Sequence, residues 1–60
     1  MSFTEVWNEA YNLYSELADS GSNVARKATK DMLVCHAKEG NILPSEVAPI
    51  LNDVIETYEL

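Results

Sequence analysis

The sequence predicts an all-α protein, a small three-helix arrangement in which a helical hairpin is followed by a third helix. Three observations lead there. Apolar residues recur every three or four positions over three separate stretches, the period of a helix face. Gly21 and Gly40 punctuate the chain between those stretches. No strand-like alternation, internal repeat or low-complexity run interrupts them. The expected helices cover 3–18, 23–39 and 45–58 of one domain, residues 1–60.

The first helix opens on Ser2 with Glu5 three residues later, the form of a capping box, in which hydroxyl and carboxylate satisfy amides of the first turn. Phe3, Trp7, Ala10, Tyr14 and Leu17 then fall at helical spacing, with Val6 and Leu13 widening the stripe. Asp19-Ser20-Gly21 ends the element, because Gly adopts the left-handed exit of a helix without strain.

The second helix is expected to be capped by Ser22 or Asn23 and to close at Gly40. An advance of about 100° per residue collects Val24, Ala25, Ala28, Met32 and Cys35 on one side, with His36 at the border and Leu33 on the flank. All four basic side chains, Arg26, Lys27, Lys30 and Lys38, collect on the opposite side together with Val34. The third helix is opened by Pro44 or Ser45, with Glu46 near its positive end. Pro49 lacks an amide proton, so the helix must start late enough to hold it in the first turn, or kink there. Ile50, Leu51, Val54, Ile55 and Tyr58 are assigned to the core, and Asn52, Asp53, Glu56 and Thr57 to the outside.

Size and composition bound the function. A chain of 60 residues buries only about 60% of the surface exposed when unfolded, so its core is thin. Hydrophobic residues are 47% and charged residues 23%, which places the chain among folded proteins and not disordered ones. One cysteine excludes an internal disulfide and fits a reducing compartment. The N-terminus has no basic segment of a signal peptide, and no apolar run approaches the ~20 residues that span a bilayer. Starting at Met1, the chain is read as a complete, soluble, cytoplasmic gene product. Wide apolar stripes on so small a core predict a homodimer or hetero-complex over a lone monomer.

Five candidate sites emerge. One is the acidic surface of Glu5, Glu9, Glu16, Asp19, Asp53, Glu56 and Glu59, which could present carboxylates in place of phosphates to a basic groove but is read as a solubilising face. Cys35 and His36 are the residue types of a nucleophile and its base, but neighbours on a helix diverge by about 100°, so Cys35 is assigned to the buried stripe, where a thiol acts as a small hydrophobe. His36 and Glu39, three apart, share a face as metal ligands do, yet no further ligands stand at a recognisable spacing, and no metal or cofactor is expected. The basic face of Arg26, Lys27 and Lys30 could grip phosphates or an acidic surface, although a net charge of -6 opposes generic nucleic-acid affinity. Tyr11, Leu33 and Val34 are candidates for exposed apolar surface, the mark of a partner.

No catalytic triad, phosphate loop or metal signature is present, and the residue pattern matches no helix-turn-helix DNA binder, antitoxin or phage inhibitor family. The expected function is therefore a non-catalytic protein–protein interaction module, a small acidic regulator or inhibitor of bacterial or phage origin. The alternative is a nucleic-acid-binding helical protein that uses the basic face of the middle helix.

Overall fold

The three expected helices form, and their boundaries follow local chemistry. The computed structural model describes residues 2–60, and Met1 lies outside the described residues. Helix α1 spans Phe3–Leu17, α2 spans Ser22–Lys38 and α3 spans Val47–Glu59, with single 3-10 turns at Ala18–Ser20 and Pro44–Glu46. Among the described residues there is no strand. None of the helices is long and apolar enough to cross a membrane.

The capping box at the start of α1 is complete. Ser2 donates from its amide and its hydroxyl to Glu5 Oε1 at 3.2 and 3.1 Å, and the Glu5 amide donates to Ser2 Oγ at 3.2 Å. The Ser2 amide, followed by its hydroxyl, holds the Glu5 carboxyl below its ordinary range. A group whose pKa is lower in the folded state stabilises fully above its unfolded value, and that contribution is lost as pH falls through the folded value. Protection of the Glu5 amide from hydrogen exchange, relative to Ala10, is accordingly expected to fall below about pH 4. The Glu5→Gln variant should lack that dependence.

Both glycines sit at positive φ, where an L side chain is strained. Gly21, at φ 117° and ψ 142°, receives the end of the first 3-10 turn and starts α2 directly. The cap expected from Ser22 or Asn23 is therefore replaced: α2 begins at Ser22 with no side-chain cap, because Gly21 turns the chain one residue earlier. Gly40, at φ 82°, closes α2 in a Schellman motif. Its amide donates to Ala37 O at 3.1 Å, and the Asn41 amide donates to His36 O at 2.9 Å. Pro49 is the third residue of α3, so it lies in the first turn and costs no helical hydrogen bond. Glu46 supports the entry to α3 by accepting from the Leu43 amide at 2.8 Å.

Each helix packs on the other two. A radius of gyration of 10.5 Å matches the ~10 Å of a chain this long folded as one unit. The core is Val6, Ala10 and Tyr14 from α1, Ala25 and Leu33 from α2, Ile50, Leu51 and Val54 from α3, and Ile42 from the connection between α2 and α3.

Three sequence expectations are corrected by this packing. The buried stripe of α2 is Ala25, Thr29, Leu33 and His36, not the stripe through Val24 and Cys35. Cys35 is an exposed thiol and Val24 is exposed. The true stripe is turned by roughly one residue, about 100°, because two polar side chains, Thr29 and His36, occupy core positions that an apolar pattern does not mark. Leu33, expected at the surface, has 0% exposure. At the other end of the molecule Tyr58 leans out of the core with 40% of its surface exposed.

Candidate functional site

The exposed aromatic surface lies where α1 meets α3. Phe3, Trp7 and Tyr11 recur at a spacing of four and so form one ridge along α1. Trp7 and Tyr11 stack with ring centroids 5.4 Å apart and planes within 10°. Across the helix junction Tyr58 meets Tyr11 at 6.4 Å and Tyr14 edge-on at 5.4 Å. Tyr14 is the buried end of this group. Phe3 is its exposed end, with half of its surface in solvent.

A concavity of about 380 Å³ opens beside the ridge, lined by Phe3, Trp7, Glu46, Pro49, Ile50 and Asp53. The Trp7 indole is fixed there, because its Nε1–H donates to Asp53 Oδ2 at 2.8 Å. That bond joins the first helix to the third. A second apolar groove of about 400 Å³ lies on another side, between Val34, Ala37 and Lys38 of α2 and Pro44 and Val47.

The sequence candidates separate over this frame. Tyr11 is half-buried within the α1–α3 aromatic group, Leu33 is in the core, and Val34 is half-buried in the second groove. They do not make one patch. Arg26, Lys27 and Lys30 are exposed on α2. Among the described residues the single pairing of a basic side chain with a carboxylate is His36 with Glu9, so these three cations have no carboxylate partner.

His36 makes its side-chain hydrogen bonds with neither Cys35 nor Glu39. It is 7% exposed, and its Nδ1 accepts from the Asn41 side-chain amide at 3.0 Å while Nε2 points to Glu9 Oε1 at 3.4 Å. Donation from Asn41 makes Nδ1 the acceptor, which leaves the ring proton on Nε2, directed at the carboxylate. Both ring nitrogens are thereby used to tie α2 to α1 and to the connection that follows it. His36 is a strut between elements, and Cys35 beside it has no base in contact through this ring.

Phe3, Glu46, Asp53 and Tyr58 belong to this surface; the sequence places Phe3 and Tyr58 in core stripes and Asp53 on the outside, without joining them into one site. The spacing Phe3-Trp7-Tyr11 was a usable signal for the ridge. The carboxylates were not locatable, since Asp53 is 46 positions from Trp7. Compared with known protein families, characterised proteins and solved structures, the chain matches none of them.

Proposed function

We propose that this protein is a non-catalytic interaction module, a small acidic regulator or inhibitor that binds another protein along the α1–α3 groove. The observation that carries the proposal is the exposure of Phe3 on α1 and Tyr58 on α3, on either side of the half-buried Trp7 and Tyr11. Aromatic side chains clustered around a concavity are the usual anchors of protein interfaces. Self-association through the same groove is the homodimeric form of this proposal. A reducing cytoplasm, which keeps the exposed Cys35 as a thiol, suits it.

Capture from an extract of the organism that encodes the chain tests it. The wild-type protein is expected to retain a specific protein, and a Phe3→Ser, Tyr58→Ser double variant with unchanged helicity is expected to lose at least ten times in affinity, about 1.4 kcal/mol. Equal capture by both proteins, or none by either, would overturn the proposal. A dimer in sedimentation that the double variant dissociates would assign the groove to a second copy.

A second reading draws on the unpaired cations Arg26, Lys27 and Lys30, which could contact phosphates. Nucleic acid in the captured material, released steeply by salt and lost in Lys27→Glu, would favour it over the groove.

A further inference from the structure

We propose that the concavity between α1 and α3 receives a cationic side chain, arginine in preference to lysine, from a basic segment of a partner protein. The proposal rests on the interaction reading above and names the partner's chemistry. Two ring systems and two carboxylates converge on this space: Phe3 and Trp7 from α1, Glu46 and Asp53 from the start and body of the third helical segment. An aromatic face attracts a cation through its quadrupole, and a neighbouring carboxylate adds direct charge.

The carboxylates are held in place by the protein itself. Asp53 uses Oδ2 to accept from Trp7, and Glu46 uses Oε1 to accept from the Leu43 amide, both at 2.8 Å. Each then has a second oxygen for an incoming donor. A group already fixed in position loses less entropy on binding.

The charged side chains that line the concavity have one sign. All four Lys and Arg residues lie in α2, and neither α1 nor α3 contains Lys, Arg or His. Among the described residues no Lys, Arg or His lines the concavity to compete for Glu46 and Asp53, and an anionic ligand would meet repulsion from the two carboxylates. A phosphate backbone is thus disfavoured on this face, whatever the basic side of α2 does. A volume of about 380 Å³ is near the lower end of the ~300–1,000 Å³ of ligand sites, which suits one long side chain. Guanidinium is preferred to ammonium because its plane stacks on a ring while its edge meets a carboxylate with two N–H groups.

The sole tryptophan of the chain supplies the readout, since the Trp7 Nε1–H sits on the wall of the site. N-acetyl-arginine amide titrated into the full chain is expected to shift the indole proton resonance saturably. N-acetyl-citrulline amide, the same shape without charge, is expected to leave it unmoved. Asp53→Asn keeps an acceptor for Trp7 and removes the charge, and should weaken arginine binding by about three- to tenfold. Glu46→Gln, which keeps an acceptor for Leu43, serves as the second variant. An equal response to citrulline, no response to arginine, or indifference to both variants would overturn the proposal. An indole shift that grows with protein concentration alone and vanishes in Arg26→Gln would place a second copy's arginine in the pocket, and would overturn the assignment to a foreign partner. Capture that depends on Phe3 and Tyr58 while arginine amide leaves the indole unmoved would sink the cation site and leave the interaction reading standing.

Discussion

Leu33→Ala is expected to lower the free energy of unfolding by about 2–5 kcal/mol, the largest effect of any single truncation considered for this chain. Leu33 has no solvent exposure and is the largest fully buried side chain. Truncation removes transfer energy and leaves a cavity that three packed helices close only in part. A domain of this size has about 3–9 kcal/mol to lose. The loss is a large fraction of that stability, and a urea titration monitored by helicity reads the change. The informative control is Cys35→Ala, two positions away on the same helix and exposed, where a change within about 0.5 kcal/mol is expected. Equal losses at the two positions would mean that α2 does not bury the stripe described above.

Thr29→Val is expected to act in the opposite direction and raise stability by about 1–2 kcal/mol. Thr29 is fully buried, and its Oγ1 has no hydrogen-bond partner among the described residues. A helical threonine commonly bonds the carbonyl one turn back, which would be that of Ala25, and no such bond forms here. An unsatisfied buried hydroxyl carries its full desolvation cost of about 1–3 kcal/mol. Valine keeps the branched shape and replaces the hydroxyl by a methyl group, so the cost disappears without a cavity. Each kcal/mol corresponds to about 4–8 °C in a domain of this length, a shift that thermal denaturation resolves easily. A lower melting temperature would show that the hydroxyl is satisfied in solution.

Those two positions also mark where sequence reasoning failed. The periodicity of α1 and α3 was legible because their apolar residues are numerous and their polar faces clear. The Ser2 and Glu5 cap, Gly40 at the helix exit and Pro49 in a first turn were legible because each depends on chemistry within a few residues. The phase of α2 was not. Val24 and Cys35 pulled the apparent stripe one way, while the residues that enter the core are Thr29, which carries a hydroxyl, and His36, whose burial depends on Glu9 and Asn41. Glu9 is 27 positions away, and no local pattern announces it. The binding surface was half legible for a related reason. The i, i+4 aromatics were visible as a ridge, but which edge of the wide α1 stripe meets α3 is decided only by packing, and that decision leaves Phe3 outside.

The Trp7–Asp53 hydrogen bond, which couples two helices across 46 positions, has a kinetic consequence. The α1–α2 hairpin closes through a short connection, whereas bringing α3 onto α1 requires most of the chain to be looped, and loop closure grows more costly with length. Emission from the single indole responds to the arrival of the last helix on the first in addition to its stack on Tyr11 within α1, while far-ultraviolet dichroism follows helix formation anywhere. One unlabelled chain therefore carries two clocks, and the interval between them times the closure that creates the groove.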